Sequence, residues 1–172
     1  QKVVEFGAGT GRLTCLLAPL VAHIDACDSS AHMLGIAKRK LQAGGWQNWQ
    51  LHVANNTQLP LPDHSADIAI EGWSFAHAVG WHPDSWQQKV GQMIDEMKRL
   101  LKPGGTFILL ETLGTGYETP TPPAPHLAEL YDWWTKTYQL NHAWIRTDYQ
   151  FTSPQEGANL TRFFFGDELA NR

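Results

Sequence analysis

Several things are scarce in this sequence, and each shortage excludes a class of protein. There are two cysteines in 172 residues, Cys15 and Cys27. They form no Cys-x-x-Cys pair, which rules out a disulfide framework and fits a reducing compartment. No apolar run approaches the roughly eighteen residues of a membrane helix. Lys and Arg form no run, and 13 basic against 17 acidic residues give a formal charge of −4. Neither a nucleic acid nor a membrane is therefore expected as the main partner, and the expected location is cytoplasmic. A Gly-Lys-Ser/Thr phosphate loop is missing. His77 and His82 are not a helical i, i+4 pair, and no Cys or carboxylate cluster joins them, so no metal site is expected. Charged residues make up 17% and hydrophobic ones 42%, a balance that suits one packed core. The chain also opens without Met, at Gln1-Lys2-Val3-Val4, as though inside a strand.

What is present is a regular alternation of strands and helices. Val3 to Phe6 reads as a strand that breaks at Gly7-Ala8-Gly9-Thr10-Gly11. Leu13, Leu16, Leu17 and Leu20 follow at helical spacing, with Pro19 trimming the end. His23 to Cys27 is a second strand. Ser29 or Ser30 caps a helix carrying Met33, Leu34, Ile36, Ala37 and Leu41, which Gly44-Gly45 ends. Trp49 to Ala54 and Ala66 to Ile70 are the third and fourth strands. Asp84, three residues before Gln87, resembles a capping box. It opens a helix with Trp86, Val90, Met93, Met97 and Leu100 on one face. Lys102-Pro103-Gly104-Gly105 stops that helix before a fifth strand, Thr106 to Leu110. Apolar strands separated by amphipathic helices predict an α/β fold, doubly wound, with a mostly parallel sheet and helices on both faces. Beyond it, 113–126 is a candidate lid loop, and Leu127 to Tyr138 carries a helical stripe. Trp144 to Phe151 is read as a sixth strand and Pro154 to Leu169 as a last helix. No second boundary is visible, so a single domain over 1–172 is expected.

The glycine turn between strand and helix is a physical device. Glycines turn tightly and admit a ligand where a Cβ would collide, and a helix start offers unpaired N–H groups. The alternative is a turn that merely packs helix on strand. A dinucleotide fingerprint is one residue out of register, because Arg12 stands where its last glycine belongs. Asp28 ends the second strand about twenty residues on, where a carboxylate can accept both hydroxyls of a ribose. Together these features suit an adenosine without a diphosphate.

On these residues the sequence resembles the class I S-adenosylmethionine-dependent methyltransferases, small-molecule branch, from Val3 to about Glu111. Val3 to Thr14 looks like the family's first motif. The resemblance implies that Glu5 holds the cofactor's methionine ammonium, and that Gly7, Ala8 and Gly9 pass under its methionine and ribose. Asp28 to Leu34 resembles the second motif, with Asp28 and Ser29 at the ribose and Met33 over the adenine. Asn55 to Asp63 is similar to the third. Asn55 replaces the usual Asp that accepts from the adenine amino group, and its amide oxygen can accept the same bond. Asn56 would present its backbone N–H to the ring. Glu71 lies where the fourth strand contacts the methionine part, through main-chain carbonyls. Set against the family, the chain looks incomplete at both ends, lacking an N-terminal lid and a last strand.

The implied reaction is in-line transfer of a methyl group to a small organic acceptor. Acceptor residues are expected beyond the fourth strand: Trp73, Phe75 and Trp81 as an aromatic wall, His82 beside them, and His77 as general base. Solvent-facing loop histidines and ordinary aromatic packing are the alternatives. Trp133 and Trp134 are adjacent, so on a helix they face different ways. Glu71-Gly72-Trp73-Ser74 is not the Asn/Asp-Pro-Pro-aromatic motif of amino-methylating DNA enzymes, and no Pro-Cys nucleophile is present. Two other functions remain open: an S-adenosylmethionine- or nucleotide-binding module without catalysis, and a nicotinamide-dependent oxidoreductase, which Arg12 disfavours.

Overall fold

Strand β1 (Lys2–Phe6) pairs in parallel with β2 (His23–Asp28) on one side and β4 (Ala66–Gly72) on the other. With β3 (Trp49–Val53) and β5 (Leu101–Leu110), the order in this computed structural model is β3-β2-β1-β4-β5, all parallel. The structure describes residues 1–114 and 117–170. Thr115 and Gly116, in the segment expected as a lid, lie outside the described residues, as do Asn171 and Arg172. The chain groups into two compact units, Gln1–Glu111 and Thr112–Arg172.

In the first unit both faces of the sheet are covered. Side chains alternate along each strand, so Val3, Ile24 and Ile70 share one face and cluster with Ala18 and Leu41. Those partners come from the segment of α1 (Arg12–Leu17) with its 3-10 turn Ala18–Leu20, and from α2 (Ala31–Ala43). On the opposite face Phe6 meets Phe75 edge-on, with ring centroids 5.9 Å apart. Beyond a short α3 (His77–Trp81), α4 (Trp86–Leu100) packs on β4 and β5 and buries Val90, Ile94, Met97 and Leu100. Because β1 leads outward to β2 while β4 lies on its other side, the strand order reverses at β1. In open α/β sheets this switch point, beyond the strands' carboxyl ends, is where a ligand crevice lies.

Three details depart from the sequence reading. Lys102 to Gly105 is a bulge inside β5, since the register moves from Ala66↔Leu101 to Ile68↔Thr106. Gly104, at φ 78°, takes the left-handed turn that the bulge requires. At the start of α4, Ser85 is the N-cap and no side chain caps it, so the Asp84–Gln87 box does not form. In the second unit, Trp144 to Phe151 is not a strand. Aromatic and β-branched residues favour strands only where a partner strand accepts their backbone, and this unit is built from α5 (Pro125–Tyr138) and α6 (Pro154–Ala170). On α5, Trp134 is buried with Leu130, while half-buried Trp133 turns edge-on to Tyr138. Among the described residues no helix is long and apolar enough to cross a membrane.

The β3–β4 connection has no helix, and an ion pair on α4 holds it instead. Arg99 donates through Nε and Nη2 to the two Glu96 oxygens, at 2.7 and 2.6 Å. Its other N–H groups reach Leu61 O at 3.0 Å, Asp63 Oδ1 at 2.5 Å and Leu59 O at 3.2 Å. Glu96 in turn accepts from Leu59 N at 2.6 Å. Burial opposes ionisation of Glu96, but the bonds from Arg99 and Leu59 outweigh it and keep the carboxyl below its usual range. Arg99→Met would leave Glu96 buried with its charge uncompensated. It should lower the unfolding free energy by about 2–3 kcal/mol in urea titration; a loss under about 0.5 kcal/mol would show that the connection holds itself.

Candidate active site

Gly7, Gly9 and Gly11 all have positive φ, at 67°, 54° and 75°. Packing accounts for two of them. A Cβ on Gly7 would collide with Ser74 Oγ, and one on Gly11 would come within 2.8 Å of Ala37 Cβ. A Cβ on Gly9 would meet nothing within 4 Å, so the turn leaves open space on that side of its middle glycine. Beside it stands Asp28, whose Oδ2 accepts from Gly9 N at 2.8 Å and whose Oδ1 accepts from Ser30 N at 2.8 Å. Each carboxylate oxygen has a second acceptor position, so Asp28 can hold the turn and still take hydroxyl donors. Ser30, not exposed Ser29, caps α2 by accepting from Met33 N at 3.3 Å, and Met33 is 41% exposed on that first turn. With only Arg12–Leu17 in regular α-helix, α1 is too short for a strong macrodipole. Polar recognition falls to side chains.

One of these is Glu5, buried at the end of β1 and bonded to Thr14 Oγ1 at 2.6 Å. Burial pushes its carboxyl up to about 7, although the Thr14 hydroxyl draws it back. Opposite, Arg12 lays its guanidinium carbon 3.9 Å from the Trp73 ring centroid. Sequence reading missed this pair, because nothing local in the chain signals that the residues after β1 and β4 meet.

The turn after β3 uses its asparagines internally. Asn55 Oδ1 accepts from both Thr57 N and Thr57 Oγ1 at 3.0 Å, an Asx turn. The oxygen expected to receive an adenine amino group thus has two partners already. Asn56 donates its Nδ2 to Ser74 Oγ at 3.1 Å, linking this turn to the loop after β4.

Two buried carboxylates shape that loop. Glu71, whose expected role lies in its main-chain carbonyl, turns its side chain inward. Oε2 accepts from Ser74 N at 3.0 Å and Phe75 N at 3.3 Å, and Oε1 from Leu110 N at 3.0 Å. Glu111 Oε1 accepts from Ala76 N at 3.0 Å. Burial raises both carboxyls, Glu111 to about 7, and the neighbouring Glu111 charge raises Glu71 further. The loop begins at Trp73, whose φ of 58° is a left-handed conformation costing a bulky residue about 1–3 kcal/mol. Phe75 is fully buried against Phe6 and belongs to the core, not to an acceptor wall. His77 is exposed and stacks on Trp81, 5.1 Å between centroids and 12° between planes. Among the described residues no carboxylate is bonded to its imidazole. His82 ends α3, exposed.

Residues 4–109, from β1 to β5, match the family model described as a methyltransferase domain. The chain belongs to this methyltransferase family. Demethylmenaquinone methyltransferase of Clavibacter sepedonicus is 32% identical over 136 residues, which cover 79% of this chain and 48% of that protein. Among solved structures, YcgJ of Bacillus subtilis aligns with a TM-score of 0.58 at 26% identity, covering 76% of this chain and 49% of the other. An S-adenosylmethionine-dependent methyltransferase of Clostridium acetobutylicum, at 24% identity and a TM-score of 0.55, shares the fold over 63% of this chain and 41% of its own. The chain spans about half the length of the curated relatives it matches.

In this chain the acids under the loop titrate against folding. Glu111 has its carboxyl at about 7 in the folded chain against an ordinary 4.5, so the folded state binds the proton more tightly. That contribution to stability is whole below about pH 4.5 and is lost as pH rises through about 7. Melting temperature followed from about pH 5 to about pH 8 should fall less steeply in Glu111→Gln, which keeps an acceptor for Ala76 N. Identical slopes would mean that Glu111 ionises as freely as a surface acid.

Proposed function

We propose that this chain binds S-adenosylmethionine at the β1–β4 crevice and directs its methyl group to a small organic acceptor. The observation that carries this reading is the open Gly9 turn held by Asp28. When bound, the donor supplies a methyl group already activated by a sulfonium. The chain's own residues bind and orient. Asp28 accepts the ribose hydroxyls with its remaining lone pairs, beside Ser29. Gly7, Ala8 and Gly9 form the floor, Met33 covers the adenine, and the Asn55–Asn56 turn borders its edge. Glu5, once ionised, faces the methionine ammonium, and the Glu71 carboxylate fixes the strand end next to it. The loop of Trp73, His77, Trp81 and His82 meets the acceptor, with His77 able to take a proton where the acceptor must lose one.

Relatives named demethylmenaquinone methyltransferase support a flat aromatic acceptor, and the exposed rings of Trp73 and Trp81 suit one. Alignment and exclusion of water are the main demands of such a transfer. A second reading, donor binding without turnover, is favoured by one observation: among the described residues no carboxylate orients His77.

Titration with S-adenosylhomocysteine tests the proposal. Saturation at a hundred times Kd should stabilise the fold by about 2.7 kcal/mol, and Asp28→Ala should weaken binding at least about tenfold. No heat and no rise in melting temperature would overturn it. Because the free Glu5 carboxyl lies at about 7 and an ammonium favours its ionised form, affinity should rise from about pH 6 to about pH 8. In Glu5→Gln that rise should vanish; a rise of the same size would exclude Glu5 as the ammonium partner.

A further inference from the structure

Between α5 and α6, residues 141–151 run without a turn or bend, and every one of them is exposed. Among the described residues no backbone group of this segment bonds to another backbone group. Its large side chains stand in solvent: Trp144 is 58% exposed, Ile145 78% and Tyr149 74%. Successive side chains of an extended chain point to opposite sides, and two contacts between residues two apart follow that rule here. The Tyr149 and Phe151 rings stack, with centroids 6.1 Å apart and planes at 12°. On the other side Arg146 donates to both oxygens of Asp148, from Nε at 3.3 Å and from Nη2 at 2.6 Å. The segment has the alternation of a β-strand and, among the described residues, lacks a neighbour. It also contains no Pro, Gly or Lys, the residues with which unpaired strands commonly block their edges.

We infer that a second copy of this chain supplies that neighbour, by antiparallel pairing of residues 143–151 about a two-fold axis at Thr147. The sequence is self-complementary about that residue. On one face Ala143 then stands opposite Phe151 and Ile145 opposite Tyr149. On the other, Trp144 faces Gln150 and Arg146 faces Asp148, and the axis repeats each pair. Aromatic against β-branched and cation against anion are cross-strand pairs that stabilise a sheet. The charges select the register. An axis at Arg146 or at Asp148 would set like charges opposite each other, and in-register parallel pairing would do the same. An axis between two residues would put apolar side chains against polar ones. In the selected register each Arg146–Asp148 bond within a chain is exchanged for the same bond across the axis, so no charge is left unpaired. A strand of an unrelated protein would meet the same backbone without this match of charge about Thr147. Two short strands make a small contact, so the dimer is a reversible one that forms at micromolar chain concentration.

Sedimentation equilibrium of the whole chain tests this. From about 1 to about 200 µM the mass should rise from 19.3 kDa towards twice that value. Arg146→Asp and Asp148→Arg should each weaken association about tenfold or more, because either one sets two like-charge pairs across the axis. Mixed in equal amounts, the two variants should associate as the parent chain does, since each carries the charge that the other lacks. Both positions are exposed, so the melting temperature of each variant should stay within about 2 °C of the parent. A parent chain that remains monomeric over the whole range overturns the proposal. Dimers that persist in both variants place the interface elsewhere, and variants that stay apart when mixed refute the antiparallel register; either result also overturns it.

Discussion

The carboxylate of Asp28 joins two backbone segments by giving their N–H groups a common acceptor. Gly9 N in the turn after β1 and Ser30 N at the start of α2 both point at it, each at 2.8 Å. The turn has three left-handed glycines, and its shape is held by this anchor, by Thr10 Oγ1 accepting from Lys40 Nζ and by Gly11 packed against Ala37. The anchor is an anion, and it gathers N–H donors without exhausting its lone pairs. An amide in its place would offer one acceptor oxygen where the carboxylate uses two. The open space at Gly9 exists because Asp28 holds the backbone around it.

The same device recurs wherever the chain lacks a helix to fix it. Glu96 accepts from Leu59 N in the helix-free β3–β4 connection, and Glu71 accepts from three N–H groups around the end of β4. The two differ in one respect that divides structure from chemistry. Glu96 has Arg99 as a bidentate partner and remains easily ionised. Burial and the nearby Glu111 leave Glu71 without a cation, and its proton is held tightly. Thus the β3–β4 connection is held by a carboxylate paired with a cation, while the loop after β4 is held by carboxyls whose burial favours the protonated form.

Much of this was legible in the sequence because the signals are local. β1 runs into Gly7, β2 ends at Asp28 and β4 at Gly72, and the carboxyl ends of parallel strands are where a ligand site is expected. The glycine turn and Asp28 could be placed on that ground. What escaped was set by contacts between distant segments. Arg12 and Trp73 belong to the ends of β1 and β4, and only strand order brings them together. The bonds of the Glu71 side chain also escaped, because no sequence pattern tells which way a strand-end carboxylate will turn. Trp144 to Phe151 failed for the opposite reason. Its aromatic content is a genuine strand signal, but a strand is a pairing, and pairing is not written in one segment. Asp84 and Gln87 have the right spacing for a cap, yet the N-cap position falls on Ser85.

This difference explains why the two halves of the site are unequally defined. The donor side is built from residues within a few positions of strand ends, so the sheet fixes them with little freedom. On the acceptor side the loop begins at a strained tryptophan and is held by two carboxylates whose burial disfavours their charge. Such a loop answers to any change that alters charge near Glu71 and Glu111 or that relieves Trp73. An aromatic ligand against Trp81 or a shifted Arg12 would each do so. Trp73 begins this loop and carries Arg12 over its ring, which ties the loop after β4 to the start of α1.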